Sequence, residues 1–170
     1  MAGAAEVGAD VETFRRDLLS APRDPAAVAA DVADMRRRLA EAKPPEGHWE
    51  AKRGPGRMTD IELLAQAAAL VAGRPERAAP AQLAAGQAAG WLEPAEVERL
   101  TRAYRRFWQV QAGSRLLTGG ALKVDELGDG GRGFLLRQTG AESFDGLAAE
   151  LQDMAAEAAS IIDAVLARSG

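Results

Sequence analysis

Cysteine is absent from this sequence of 170 residues, and histidine occurs only once, as His48. The lack of cysteine excludes disulfide bonds, thiolate chemistry and cysteine-ligated zinc or iron–sulfur sites. A catalytic histidine dyad or a histidine metal cluster cannot be assembled from a single imidazole. The chemistry of this chain must therefore rest on other residue types.

Long apolar runs are also missing. No stretch reaches the roughly 18 apolar residues that a membrane-spanning helix needs. The N-terminal segment carries Glu6, Asp10 and Glu12 and lacks the basic-then-apolar pattern of a signal peptide. These features predict a cytoplasmic protein that does not associate with membranes.

An excess of positive charge is the third absence. The chain has 25 acidic and 21 basic residues, and its formal net charge is −4. Nucleic acids and anionic membranes attract proteins through a general positive field, which this chain does not have. A nucleic-acid-binding function is therefore disfavoured, although the charge balance leaves room for a local basic patch.

What the sequence does contain is alanine-rich apolar content. Hydrophobic residues make up 47% of the chain, whereas aromatic residues make up 5%. Alanine has the highest helix propensity, and the aromatic residues that favour strands are few. The chain is long enough for one domain with its own core. We predict a single all-α domain over residues 1–170, a bundle of about five to seven helices whose long helices pack nearly antiparallel.

The spacing of apolar residues at three and four positions indicates where the helices lie. They are predicted to begin near Asp10, Pro25, Thr59, Pro80, Ala95, Phe134 and Ser143. Three segments fall outside them: a linker or disordered start over 1–9, a functional loop over 42–58, and a surface loop over 119–133, where Gly119-Gly120 ends the preceding helix. The side chains predicted to face the core include Val11, Phe14, Leu18, Val28, Val32, Met35, Leu39, Phe107, Trp108, Leu147, Leu151, Met154, Ala158, Ile161 and Val165.

The segment 52–66 combines a basic, glycine-flanked turn with a helix that begins with acidic residues. Lys52 and Arg53 precede Gly54-Pro55-Gly56, and basic side chains beside a helix N-terminus can hold a phosphate. Thr59 and Glu62 have the spacing of a capping box, which predicts a helix start at Thr59. The alternative is that the glycines only permit the turn and the acidic residues only cap the helix. Asp60 and Glu62 are two positions apart and point in different directions, so they make a poor metal pair.

This segment resembles the signature of the glutamine synthetase adenylyltransferase family, Lys-x-Gly-x-Gly-Gly-x-x-Asp-Ile-Glu-Phe-x-x-Gln. The matching residues are Lys52, Gly54, Pro55, Gly56, Asp60, Ile61, Glu62 and Gln66. Further similar stretches lie at 31–37, 43–45, 111–117 and 143–144, so the resemblance covers nearly the whole chain. Arg57 stands where the family usually has its second glycine, and Leu63 replaces the usual phenylalanine.

The resemblance implies the C-terminal helical domain that follows the nucleotidyltransferase domain in such enzymes. The parent would transfer AMP from ATP to a tyrosine of glutamine synthetase, remove it by phosphorolysis, require magnesium and respond to PII signalling proteins. The family's Gly-Ser motif and its paired catalytic aspartates belong to that preceding domain, and a Gly-Ser motif followed by paired aspartates does not occur in this chain. We therefore expect an accessory domain that walls the nucleotidyltransferase cleft, with no catalytic residue, metal ligand or cofactor of its own, and no activity alone.

The candidate residues for contact with substrate or nucleotide are those of the signature and its basic turn. They are Lys52, Arg53, Gly54, Gly56, Arg57, Asp60, Glu62 and Gln66. The competing hypothesis is a stand-alone helical module that binds another protein through the 43–58 loop and has no nucleotide role.

Two neighbouring features have structural interpretations. The basic run Arg36 to Arg38 is predicted to lie on a solvated face with ion pairs to Asp34 or Glu41, or else to contact a nucleotide or partner. Trp49 is predicted to pack while His48 is exposed.

Overall fold

The computed structural model describes residues 3–42, 44–45, 47–118 and 122–170. These residues form seven α-helices, one short 3₁₀ helix and no strand, which confirms the all-α bundle. The helices are α1 (Gly3–Leu19), α2 (Pro25–Ala42), α3 (Met58–Ala72), α4 (Ala79–Ala88), α5 (Pro94–Thr118), α6 (Asp129–Thr139) and α7 (Phe144–Ser169), and the 3₁₀ helix is Val124–Glu126.

Helix α3 lies at the centre of the core and contacts α2, α4, α5 and α7. Ile61 and Leu64 have no exposed surface, and small residues allow neighbouring backbones to come close. A Cβ added at Gly86 of α4 would lie 2.7 Å from the Cβ of Ala68. The scarcity of large side chains is thus compensated by close helix packing. Helix α3 ends at Gly73, which adopts the left-handed conformation as its predicted stop.

The cap predicted for α2 is present: the Asp24 carboxylate accepts the N–H groups of Ala26 (3.4 Å) and Ala27 (3.3 Å). The apolar stripe of this helix is buried only in its first half. Val28 and Val32 are buried, whereas Met35 is 51% exposed. The prediction that Met35 faces the core is therefore wrong, because its side chain lies at the solvent-exposed surface.

Helices α5 and α7 supply most of the large buried side chains. Phe107 is fully buried as predicted, but its neighbour Trp108 is 56% exposed. One residue along a helix turns the side chain by about 100°, so the two rings cannot share one face. On α7 the fully buried positions include Ile162 in place of the partly buried Ile161.

Helix α1 begins at Gly3 instead of near Asp10, so the prediction of a linker or disordered start is wrong for residues 3–9. Alanine and glutamate in this stretch have high helix propensity and extend the helix toward the N-terminus despite two glycines. Its predicted apolar stripe does not face the core: Val11 is 61% and Phe14 is 69% exposed. Helix α1 instead contacts the rest of the chain through its polar side, where Arg15 Nη2 donates a hydrogen bond to the Pro75 carbonyl at 2.9 Å.

Helix α6 begins at Asp129, so the prediction of a surface loop as far as residue 133 is wrong from that point onward. The Asp129 carboxylate lies in the first turn of α6, where its negative charge interacts favourably with the positive end of the helix dipole. Arg132 fastens the helix to the preceding segment by donating to the carbonyl oxygens of Val124 (2.8 Å) and Leu127 (3.1 Å). The predicted stop at Gly119-Gly120 and the loop positions 43 and 46 lie outside the described residues.

None of the helices in the described ranges is long and apolar enough to cross a membrane.

Candidate functional site

A buried carboxylate organises the turn before α3. Glu50 Oε1 accepts the backbone N–H groups of Lys52 (3.0 Å) and Arg53 (3.2 Å), and its Oε2 accepts from Arg53 Nε at 2.9 Å. Burial by itself would raise the pKa of Glu50, but these hydrogen bonds stabilise the charged form and leave the pKa below its ordinary value. The loop therefore depends on a residue that the sequence did not single out.

The start of α3 differs from the predicted capping box. The helix begins at Met58, so Thr59 lies inside it, and no side chain caps the first turn. Instead, the N–H groups of Met58 and Thr59 donate to the carbonyl oxygens of Ala51 (3.2 Å) and Lys52 (2.9 Å). These N–H groups are therefore already bonded within the protein, and an anion cannot use them.

Glu62, the other member of the predicted capping box, lies on the side of α3 that meets α5. Its Oε1 accepts from the Tyr104 hydroxyl at 3.1 Å. Burial, followed by the nearby Glu62 charge, raises the pKa of Tyr104. Glu62 thus joins two helices and does not reach back to the turn.

Asp60 connects the turn to two other helices. Its Oδ1 accepts from Arg36 Nε at 2.6 Å, and its Oδ2 accepts from Arg36 Nη2 at 3.0 Å and from the Gly56 N–H at 2.7 Å. Arg36 Nη1 also donates to Asp163 Oδ1 at 2.7 Å. The prediction that Arg36 lies on a solvated face is wrong, because this bidentate pair buries its side chain to 18% exposure.

The other two arginines of the basic run follow the prediction. Arg37 pairs with Asp34 and lies 3.7 Å from Glu41, and Arg38 pairs with Asp34 at 2.6 Å. All of these side chains are substantially exposed, so the pairs contribute little to stability.

The second half of the turn packs against α7. Gly56 has a φ of 67°, and a Cβ there would lie 2.6 Å from Ala159 N and closer still to the Ala155 carbonyl oxygen. Only glycine permits this approach. Arg57 is 7% exposed, and burial lowers its pKa against the opposing effect of the Glu50 charge. Its Nη1 donates to the His48 carbonyl at 3.5 Å.

The approach to the turn follows the sequence prediction. Trp49 is half-buried, and its ring lies 5.4 Å from the Phe144 ring in a tilted arrangement, whereas His48 is exposed. This contact joins the loop to the first turn of α7.

A cleft of about 980 Å³ lies between α2, the turn, α3 and the C-terminal half of α5. Four of the eight candidate residues line it: Lys52, Arg53, Gly54 and Asp60. The other four do not line it: Gly56, Arg57, Glu62 and Gln66. Gln66 does not line the cleft because it is exposed on α3 and comes after the last residue of that helix that faces the cleft, Leu63.

The opposite walls supply residues outside the eight candidates, although the basic run that contains Arg36 and Arg37 had a nucleotide or partner contact as its alternative interpretation. Helix α2 contributes Arg36 and Arg37, and α5 contributes Gln111 and Arg115. Gln111 and Arg115 are four positions apart, so they share one helix face. Position 111 begins one of the stretches that resemble the adenylyltransferase family, and this resemblance was the available clue.

The carboxylates that line the cleft are engaged within the protein. Both carboxylates in its lining, Glu50 and Asp60, already bond arginine side chains and backbone N–H groups. Within the described ranges, no three histidine, cysteine, aspartate or glutamate side chains form a group that could hold a metal ion. Basic side chains over an apolar floor can instead bind an organic anion.

The signature turn and the basic cleft thus lie within one all-helical bundle. The family profile described as GlnD PII-uridylyltransferase matches residues 27–166. The chain belongs to this family.

Curated relatives agree with the resemblance drawn from the signature. The chain is 31% identical over 150 residues to a bifunctional glutamine synthetase adenylyltransferase/adenylyl-removing enzyme of Brucella suis biovar 1 (strain 1330). The aligned region covers 86% of this chain and 15% of that relative. The chain is 32% identical over 163 residues to the enzyme of the same description from Bradyrhizobium sp. (strain BTAi1 / ATCC BAA-1182), with 93% and 16% covered.

The chain therefore spans about one sixth of the length of these relatives. No solved structure shows a significant match to it.

Proposed function

We propose that this chain acts as the accessory helical domain of a glutamine synthetase adenylyltransferase and walls the cleft of the preceding nucleotidyltransferase domain. The observation that carries the proposal is the basic cleft formed by the signature residues Lys52, Gly54 and Asp60. The similarity to adenylyltransferases of glutamine synthetase over most of the chain supports the same assignment. The enzyme would be cytoplasmic.

The chain's own residues would bind and orient, and the chemistry would come from the nucleotidyltransferase domain. There, ATP and magnesium would supply the AMP group and the charge stabilisation for its transfer to a tyrosine of glutamine synthetase. Asp60 is held by Arg36 and the Gly56 N–H, so its role is to fix the turn against α2 and α7. PII signalling proteins would be the regulatory partners.

The first test is an adenylylation assay with the purified chain, glutamine synthetase, ATP and magnesium. We expect no transfer, because the chain lacks the paired catalytic aspartates. Clear turnover by the chain alone would contradict an accessory role.

A second assay adds the nucleotidyltransferase domain of the Brucella relative, joined to this chain. We expect the joined protein to adenylylate glutamine synthetase faster than the nucleotidyltransferase domain alone. Lys52→Gln should reduce that gain, because the lysine faces the cleft. Equal rates with and without the helical domain would favour the alternative of an interaction module without a nucleotide role.

A further inference from the structure

Large apolar side chains at the surface are concentrated on two helices. Within the described ranges, the exposed ones apart from Met35 are Val7, Val11, Phe14 and Leu18 of α1 and Trp108 and Leu116 of α5. Single exposed apolar residues are ordinary on a protein surface, but a contiguous group of them marks an interaction site. The two helix faces are therefore candidates for contact with another protein surface.

Helix α1 presents a continuous apolar stripe to solvent. Val7, Val11, Phe14 and Leu18 follow one another at spacings of four, three and four, so they share one side of the helix, and we call them the α1 stripe. All four are more than half exposed, and no residue in 6–19 is buried. A helix in a protein owes most of its stability to the packing of its apolar side, which α1 does not obtain from its own chain.

One edge of the α1 stripe is acidic. Glu6, Asp10 and Asp17 lie along this edge, and all three side chains are exposed. Within the described ranges, none of them forms a hydrogen bond or an ion pair. A surface that covered the stripe would therefore meet three unpaired negative charges, and basic side chains at that border would be complementary to them.

The exposed face of α5 carries the opposite charge. Arg105, Trp108, Ala112 and Arg115 follow one another at spacings of three, four and three, Leu116 lies beside them, and we call these five residues the α5 face. In the part of the chain that the structure describes, neither arginine of this face forms an ion pair or a hydrogen bond. Tryptophan and arginine are enriched among the residues that dominate binding between proteins. The α5 face thus suits an acidic partner with apolar side chains.

The two surfaces do not cover each other within one chain, since both are exposed. Helix α1 is attached beside the C-terminal end of α3, where Arg15 donates to the Pro75 carbonyl. The α5 face lies near the first turns of α3, because Tyr104, the residue before it, bonds Glu62. The 15 residues of α3 separate its two ends by about 22 Å. A contact between the two surfaces therefore joins two molecules.

We propose that α1 of one copy of this chain packs on the α5 face of a second copy. The spacings of three and four on both surfaces suit two helices packed side by side, with Phe14 against Trp108 near the middle. The acidic edge of α1 then lies along Arg105 and Arg115, so one contact buries apolar surface and pairs opposite charges. An antiparallel pair of two α1 helices would instead bring two acidic edges together, and like charges there repel.

The test measures the mass of the whole chain by sedimentation equilibrium as its concentration is raised to about 1 mM. We expect the average mass to rise above that of a monomer. Phe14→Gln and Trp108→Gln should each weaken association roughly 10-fold or more, because aromatic residues at the centre of an interface contribute strongly to affinity. Met35→Gln is the matched control, because Met35 is also apolar and exposed but lies on α2. All three side chains are exposed, so circular dichroism should show unchanged helix content in the variants.

Charge reversal tests which edges meet. Asp10→Arg and Arg105→Asp should each weaken association, because each places like charges on the two sides of the contact. Both changes in one chain should restore part of the lost affinity, since a new cation on α1 then meets a new carboxylate on α5. Both side chains are exposed and unpaired within the described ranges, so the reversals break no interaction inside the chain.

Four results would overturn the proposal. They are a chain that stays monomeric up to about 1 mM, association that Phe14→Gln and Trp108→Gln leave unchanged, an equal loss in Met35→Gln, and a doubly reversed chain that associates no more tightly than either single variant. A further one is slow hydrogen exchange of the α1 amides only after the nucleotidyltransferase domain of the Brucella relative is joined, which would assign the α1 stripe to that domain. The adenylylation assays test the accessory role separately, so the two proposals fail independently.

Discussion

Replacing Gly56 by alanine would test whether the signature turn is locked onto α7. The new methyl group would lie 2.6 Å from Ala159 N and closer still to the Ala155 carbonyl oxygen, both of which are backbone atoms that cannot rotate away. Alanine at this φ of 67° costs about 1–2 kcal/mol. Overpacking adds about 1–3 kcal/mol. Displacement of the turn would also break the bond from the Gly56 N–H to Asp60, worth about 1.5–3 kcal/mol.

The control is Gly90→Ala, which separates the backbone cost from the packing cost. Gly90 has a similar φ of 75°, and no atom lies within 4 Å of its added Cβ. We expect a loss of about 1–2 kcal/mol for this variant. The Gly56→Ala variant should lose about 2.5–6 kcal/mol more, the sum of the overpacking and hydrogen-bond contributions. Urea unfolding followed by helical circular dichroism measures both. Equal midpoints for the two variants would refute the close packing of the turn on α7.

The remaining predictions concern single side chains. Asp60→Asn should destabilise the chain by about 2–4 kcal/mol in urea unfolding, because it leaves a buried arginine partly unpaired; Asp163→Asn, at the exposed end of the same network, should cost less than about 1 kcal/mol. The folded pKa of Glu50 is lowered, so its stabilisation is present above the unfolded value of about 4.3 and is lost as the pH falls through the folded pKa. An NMR titration should therefore show shifts of the loop amide signals only below about pH 4.3, where Glu50 becomes protonated in the folded chain. The Glu50→Gln variant should lack these shifts. Shifts that persist in the variant would show that another group causes them. Phe107→Ala should cost about 3–5 kcal/mol and Trp108→Ala less than about 1 kcal/mol in thermal unfolding, and similar losses would contradict their different burial.

Much of the fold follows from local sequence patterns. The Asp24 cap, the left-handed Gly73 and the Ser143 cap of α7, whose Oγ accepts the Gly146 N–H at 3.0 Å, all lie where the sequence predicts them. These features depend on residues within one helical turn of each other. A sequence contains such short-range information directly.

The errors share a different physical origin. Trp108 and Met35 have apolar spacing but are exposed, because the helix faces they occupy meet solvent instead of another helix. The capping box at Thr59 and Glu62 fails because more distant groups, namely the Lys52 carbonyl and the Tyr104 hydroxyl, offer alternative partners. Periodicity and capping rules count neighbours along the chain and cannot include these contacts.

The sequence by itself determined that this chain is a helical domain with a basic, glycine-flanked turn of the adenylyltransferase type. Propensity, turn residues and a linear signature suffice for that, since each is encoded within a short segment. Only the tertiary structure decided which contacts the signature residues make. It brings Arg36 onto Asp60 and Arg115 into the same cleft as Lys52, although these residues are far apart in the chain. Long-range packing sets which side chains neutralise each other and which remain available for a ligand.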